Sequence, residues 1–535
     1  MRRESRDGSL AIALILTAAS AGLYALTFPP VRARALAWVA LVPLLAALRD
    51  ASLRRRLSLG LLWTLAVGWG VGTWMPGAVS GYFQQPLTVG VGLFLLVTGA
   101  MAAPYYVAFA AVYAPLVVRF GVTGPLLAGA AWAGAELVRG RLLNGSSFYV
   151  GNSPWATFGY SQAGIDSVIQ VASVTGVYGI SFVLAAVNAA GAEVVCAAVR
   201  QRRVERRAWM GLALAMGALG LALGFGRLVL RSAESLANEA APVPIAIAQA
   251  NLGAAARWGF EGPARTLEAY VRLTSEVFDR GRPQIVFWPE VALTVFLEQD
   301  EIYRLALATA LGRHDAELVV GAPRAWGPDG AAPYTNSVYL VAPDGTLGAR
   351  YDKQYLLPFM EYFPLRLELA RRRFGGIREF TPGEPTSPLP TRAGKAGILV
   401  CNEALLPHVA AQRSAEGADY LVNPSNDSWV PDAGFAWQQF DIVSLRAVEQ
   451  RRYLIRVSDS GPSGVVDPFG RVVAHTEALT RGVLLASVVP ISERSPYARV
   501  GDLFGGACLL TTALALIRCR WDGRGRAAVP RSRAG

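Results

Sequence analysis

Lysine is nearly missing from this chain. Of 535 residues, 51 are lysine or arginine, and only Lys353 and Lys395 are lysine. Histidine is scarcer than a metal centre needs: three are scattered, and no paired-cysteine spacing accompanies them, so no metal or cofactor is expected. Four cysteines are present. Cys196, Cys508 and Cys519 lie in or beside apolar runs, which leaves Cys401 alone in the one large polar region and excludes a disulfide within it. Charged residues make up only 17%. No internal repeat and no RNA- or DNA-binding module is visible, so no nucleic-acid partner is expected. The net charge of +12 falls in short arginine clusters between apolar runs, where the positive-inside bias accounts for it.

What the chain has in abundance is apolar sequence: 53% hydrophobic residues and a mean hydropathy of +0.33. Those values describe a membrane protein, and the length predicts more than one domain. Apolar runs cover 10–28, 35–48, 57–75, 87–118, 125–138, parts of 165–199 and 208–230, and 504–517. The first run, after three arginines, is read as a retained helix because further runs follow at once. The run 87–118 contains Pro104 and Pro115 and reads as one long, kinked helix or as two short ones. Charge parity favours one. With a cytoplasmic N-terminus, one helix keeps the five arginines of 200–207 inside, and two helices would put them outside. Eight spans result. Residues 1–231 form a membrane domain of seven helices, 232–496 a polar domain outside the cytoplasm, 497–519 the eighth helix, and 520–535 a disordered, arginine-rich cytoplasmic tail. Glu136 lies inside the fifth run; with Arg139 nearby, a structural ion pair is preferred there to a catalytic role.

In the polar domain, strand-like runs at 244–250, 284–288, 317–322, 337–342, 346–350, 397–401, 420–423, 454–458, 464–467 and 484–489 alternate with helical stretches. That alternation predicts a layered α/β sandwich. Three runs lead to reactive groups. Ala396-Gly397-Ile398-Leu399-Val400 ends in Cys401, Ile285-Val286-Phe287-Trp288-Pro289 leads to Glu290, and 346–350 leads through Tyr351-Asp352 to Lys353. The carboxyl ends of strands are where open α/β sheets bind ligands. Each residue also has a plainer reading, as core thiol, helix cap and surface amine. The rarity of lysine weighs against the last, because an ammonium is a point charge that a guanidinium does not replace.

Trp288-Pro289-Glu290, then Tyr351-Asp352-Lys353 with Leu357-Pro358-Phe359 and Glu361-Tyr362, then Cys401-Asn402-Glu403, resembles the Glu-Lys-Cys triad of the nitrilase superfamily. Together with the apolar runs, the pattern is similar to its membrane-bound branch, the apolipoprotein N-acyltransferase family. The resemblance implies a four-layer αββα sandwich beside the membrane helices. It implies Cys401 as nucleophile, Glu290 as base and Lys353 at the oxyanion, with Glu361, Asn402 and Glu403 in support. It further implies a phospholipid acyl donor, a diacylglyceryl-apolipoprotein acceptor, and a place in the bacterial cytoplasmic membrane with the catalytic domain on the outer face. Trp258, Phe359, Met360, Tyr362, Trp429 and Gln439 are candidates for holding acyl chains, and ordinary core is their alternative. The segment 365–374 reads equally as a membrane-resting arm or as a solvated helix. Asn402, Met360 and Gln439 depart from residues common in the family. A membrane-anchored amidase, a paralogue with another acceptor and a polytopic protein without enzymatic activity remain alternatives. A Cys-His protease is disfavoured, since His408 follows Cys401 too closely to face it.

Overall fold

The structure, a computed structural model, describes residues 2–141, 155–201, 205–236, 241–253, 261–327, 333–358, 360–362 and 379–527. Its N-terminal part is helical: α1 (Arg2–Leu26), α2 (Val42–Arg49), α3 (Leu53–Gly72), α4 (Trp74–Tyr82), α5 (Leu87–Met101), α6 (Ala103–Phe120), α7 (Gly124–Arg141), α8 (Val177–Gln201) and α9 (Arg206–Leu236). Among the described residues, four stretches are long and apolar enough to cross a membrane: Ala103–Arg141, Val177–Val199, Arg206–Ser232 and Leu503–Arg520. A fifth is added if α3 and α4, bent by 58°, count as one broken span. Among the described residues the expected count of eight is not confirmed, and local chemistry explains where the helices depart from the apolar runs.

The run 35–48 is divided between a 3-10 turn at Arg34–Trp38 and the eight residues of α2. At about 1.5 Å per residue, α2 is only about 12 Å long, far short of a bilayer. The run 87–118 breaks at Ala102, just before Pro104, whose missing N–H ends the ladder of α5; Pro115 lies within α6. Ala103–Arg141 is itself two helices, α6 and α7, packed on each other across Gly121, which has φ +53°. No ion pair joins Glu136 to Arg139 among the described residues. Glu136 instead accepts from Trp132 Nε1 (2.9 Å) and Phe158 N (2.8 Å), and Arg139 donates to Thr157 Oγ1 (3.0 Å). Both residues therefore fasten α7 to the segment after it.

The polar domain holds two six-stranded sheets. One has the order β12 (Gly482–Val488), β1 (Val243–Gln249), β2 (Ile285–Phe287), β3 (Glu317–Ala325), β4 (Tyr334–Val341), β5 (Leu347–Asp352). The other runs β11 (Val472–His475), β10 (Gly464–Val466), β9 (Leu454–Ser458), β8 (Tyr420–Ser425), β7 (Gly394–Ile398), β6 (Leu389–Thr391). In both, the central three strands are parallel and the flanking ones antiparallel. Strand periodicity of two divides each strand between two cores. Ile245, Ile247, Ile285 and Phe287 meet Tyr420, Val422, Ile455 and Val457 between the sheets. Their neighbours Ala246, Ala248, Val286 and Trp288 face α10 (Gly262–Arg280) and α11 (Glu301–Leu311). Leu421 and Leu454 turn the other way, toward α12 (Pro407–Ala415) and α13 (Ala433–Gln450). Helix, sheet, sheet, helix is the expected nitrilase-like sandwich. The strands β6 and β11 were not anticipated: both are short, and β11 is largely exposed, so neither shows a buried run.

The helix α13 docks the sandwich on the membrane helices, and it is buried nearly all round. Its polar residues have partners there. Gln438 Nε2 donates to Pro29 O and Val71 O (both 3.0 Å), Arg446 to Tyr160 Oη (2.9 Å), and Glu449 accepts from Val177 N (3.0 Å). The last helix, α14 (Leu503–Ala527), continues through 520–527, which the sequence reading placed in a disordered tail. Once nucleated, a helix gains one hydrogen bond per added residue, so two further turns need no core of their own.

Candidate active site

Cys401 lies just beyond β7. The strand ends at Ile398 rather than at Cys401, and Leu399 N still reaches Val422 O (2.8 Å) before a 3-10 turn takes over at Cys401–Leu405. The nucleophile candidate has φ +51°, in the left-handed region that a β-carbon disfavours by about 1–3 kcal/mol. The surroundings hold that turn. Glu403 Oε2 accepts from Val400 N (2.7 Å), and Asn423 Nδ2 donates to Leu399 O (2.5 Å) and Cys401 O (3.2 Å).

Glu290 follows β2 on a loop that lies flat on β3. Gly321 N donates to Pro289 O (3.2 Å), and a β-carbon on Gly321 would stand 2.5–2.7 Å from Pro289 O, Val291 N and Glu290 Cα. Only glycine permits that approach. Lys353 follows β5, with its N–H on Asn336 O (2.8 Å) and its carbonyl taken by Gly383 N (2.7 Å).

The fold thus brings the three groups together. Lys353, 1% exposed, has Nζ 2.8 Å from Glu361 Oε2 and 3.4 Å from Glu290 Oε1. Cys401 stands in the field of both: Glu290 raises its thiol and Lys353 lowers it. Burial raises the Glu290 carboxyl above its ordinary range, although Lys353 and the bond from Asn336 pull the other way. Burial, reinforced by Glu290, also pushes the Cys401 thiol well up, which favours its protonated form. For Lys353, burial opposes the charged form, but Glu361 and Glu290 outweigh it and hold the ammonium above its ordinary value. A neutral thiol, a carboxylate of raised basicity and a fixed cation make a site where sulfur gains nucleophilicity only as its proton leaves.

Two supports differ in kind. Glu361 faces the site directly: besides Lys353, it accepts from Asn336 Nδ2 (2.8 Å) and Leu357 N (2.7 Å). Glu403 stands behind it. Fully buried, it accepts from Tyr351 Oη (2.8 Å), Gln354 N (2.8 Å), Tyr355 N (3.0 Å) and Val400 N, which ties the Lys353 loop to the Cys401 turn. Asn402 is buried and donates to Tyr355 O (3.1 Å). Trp429 joins an aromatic group with Trp74, Trp155 and Phe435. Met360 and Tyr362 are half-buried. Gln439 is buried and accepts from Arg456 Nη2 (3.0 Å). Trp258, Phe359 and the segment 365–374 lie outside the described residues.

The sequence reading missed Asn336, whose Nδ2 lies 2.8 Å from both Glu290 Oε1 and Glu361 Oε1. It also missed Asn426, whose N–H donates to Glu290 Oε2 (2.9 Å), and the buried Arg456, which reaches Asn423 Oδ1 (2.6 Å) and Asp427 Oδ2 (2.7 Å). A signal existed: Thr335-Asn336-Ser337 and Asn423 through Asp427 are polar runs within or just after apolar strands.

Both parts of the chain match known proteins. Residues 244–494 match the carbon-nitrogen hydrolase family, and residues 20–190 match the apolipoprotein N-acyltransferase N-terminal domain. The apolipoprotein N-acyltransferase of Geobacter metallireducens is 31% identical over 511 residues, 94% of each chain. That of Brucella melitensis is 30% identical over 84% of this chain and 83% of its own. The Pseudomonas syringae pv. tomato enzyme is 29% identical over 95% and 97%. With both halves matched in order and nearly the whole length shared, the chain is an acyltransferase and belongs to the apolipoprotein N-acyltransferase family.

Proposed function

We propose that the chain moves an acyl group from a phospholipid to the N-terminal amine of a diacylglyceryl-cysteine apolipoprotein, in two steps through Cys401. The observation that carries this reading is Lys353 held between Glu290 and Glu361, with Cys401 in the field of that same carboxylate and ammonium. In the first step, sulfur attacks the ester carbonyl carbon and its proton passes to Glu290. The carbonyl oxygen becomes an oxyanion beside the Lys353 ammonium. The C–O bond then breaks, Glu290 returns the proton to the departing alkoxide, and a lysophospholipid leaves a thioester on Cys401. In the second step the amine attacks that thioester, Glu290 takes its proton, the C–S bond breaks, and the thiol is restored with an amide as product.

Fixed charge is what the protein contributes. An oxyanion formed in a water-poor site gains most from a cation already in place, and removing one such partner costs many enzymes about 10²–10³ in rate. The two carboxylates keep Lys353 charged and stationary. Glu361 is the orienting carboxylate in this reading and Glu290 the proton carrier. The catalytic domain stands on the outer face of the bacterial cytoplasmic membrane, where the donor's acyl chain and the acceptor's diacylglyceryl anchor share one leaflet.

Incubating the purified protein with phospholipid alone tests the reading. Intact mass is expected to rise by one acyl group, and peptide mapping to place it on Cys401. Addition of a diacylglyceryl-cysteine peptide should discharge it to amide. Cys401→Ala should show no mass gain; a gain that survives that substitution would remove Cys401 as nucleophile.

A further inference from the structure

The loop after α1 carries Arg32, and the 3-10 turn that follows opens with Arg34, at the rim where the membrane helices meet the catalytic domain. Arg32 is accounted for. It forms two hydrogen bonds with Asp441 of α13 (Nε 3.0 Å, Nη2 2.8 Å), and its guanidinium lies 4.5 Å from the Trp437 ring centroid.

Arg34 is not accounted for in that way. Its backbone carbonyl accepts from Gln162 Nε2 (3.1 Å), but among the described residues its guanidinium forms no ion pair and no hydrogen bond. Asp441 and Asp166 attract it at longer range, but Asp441 is engaged by Arg32 and Asp166 stands 3.8 Å from Arg471. The side chain is nevertheless half-buried, resting on Gly164, where a β-carbon would come within 3.2 Å of Nη1 and Nη2. Gly164 has φ +80°, a backbone conformation that favours glycine. Burial disfavours the charged form of Arg34, a cost that a bound anion would offset.

The surroundings indicate which anion. Val31 and Val39 beside it are 57% and 49% exposed, and the apolar helix Leu10–Leu26 leads into the loop. A cation with no hydrogen bond or ion pair of its guanidinium among the described residues, sharing Asp441 with Arg32 and set among apolar side chains that face outward at a membrane rim, matches a phosphodiester with acyl chains attached. We propose that Arg34 seats the phosphodiester of a phospholipid at this rim, apart from the acyl-transfer centre. The proposal rests on the membrane setting of the helices, not on the chemistry at Cys401.

The test uses full-length protein in detergent, in a Cys401→Ala background so that no lipid is consumed, with bound phosphatidylglycerol counted by native mass spectrometry. Arg34→Gln is expected to weaken one bound lipid about ten-fold, the effect of losing one charge-assisted bond. Arg34→Lys should recover part of it. Diacylglycerol, which lacks phosphate, should bind equally to the Arg34→Gln protein and to the protein that keeps Arg34. Inorganic phosphate should compete only at far higher concentration than the lipid. Equal phosphatidylglycerol affinity in unaltered, Arg34→Gln and Arg34→Lys proteins would overturn the site. Competition by inorganic phosphate at lipid-like concentration would overturn the lipid as its occupant. Because binding is read in detergent and without turnover, neither result depends on sidedness or on acyl transfer.

Discussion

Replacing Asn336 with alanine should move the acidic limb of acyl transfer upward by about one pH unit. Asn336 is 2% exposed, and its one Nδ2 donates to Glu290 Oε1 and Glu361 Oε1, both at 2.8 Å. A hydrogen bond to a charged group is worth about 1.5–3 kcal/mol, and one pKa unit corresponds to about 1.4 kcal/mol. The Asn336 bond favours the ionised form of Glu290, so its loss raises a carboxyl that burial has already raised. The sign follows. In the proposed mechanism Glu290 is ionised when it accepts the thiol proton, so activity is present above its pKa and is lost as pH falls through it. A higher pKa brings that loss at higher pH. The assay is the rate of lysophospholipid release in the first turnover, measured across pH for the unaltered and Asn336→Ala proteins. The plateau rates should differ less than the rates on the limb, because above the limb both proteins carry an ionised Glu290. Superimposable limbs would refute the reasoning and leave Asn336 with a packing role alone.

Three further outcomes follow from the same geometry. Gly321→Ala should lower kcat/KM by about 10–100-fold by displacing the Glu290 loop, since misplacing a reacting group by about 1 Å can cost about 100-fold; first-turnover rates within about two-fold of normal would show that the loop tolerates the added carbon. Glu403→Gln should lower unfolding stability by about 2–4 kcal/mol, because four donors converge on that buried carboxylate and an amide offers one of its positions a donor instead; denaturant melts of the two proteins compare them directly. Alkaline phosphatase fused after α9 should be active, which reads the side on which the polar domain lies; an inactive fusion of normal abundance would reverse the assigned sidedness.

Glu290, Lys353 and Cys401 were legible because each follows an apolar strand run and each breaks it with a reactive group, a contrast one sequence displays. The α/β layering was legible for the same reason: periodicity separates strands from helices before any contact is known. Helix breaks were less so. The kink in 87–118 and the division of 35–48 depend on where backbone ladders fail, and apolar composition runs through both without interruption.

Other features exist only in three dimensions. Asn336, Asn426 and Arg456 are ordinary polar residues in sequence and acquire meaning from strand neighbours up to 136 positions away, as Asn426 does with Glu290. The Glu136–Arg139 pairing expected from proximity gave way to bonds with Trp132, Phe158 and Thr157, because helical spacing sets adjacency but not which partner is reached. Composition and strand ends determined by themselves that this is a membrane protein with a cysteine, a carboxylate and an amine at sheet edges. Tertiary structure alone decided that Glu361 lies 2.8 Å from Lys353, that Cys401 takes a left-handed turn, and that Arg34 lies half-buried with no ion pair of its own among the described residues. The physical reason is that burial and hydrogen-bond partners are properties of packed surfaces, which residues distant in sequence build together.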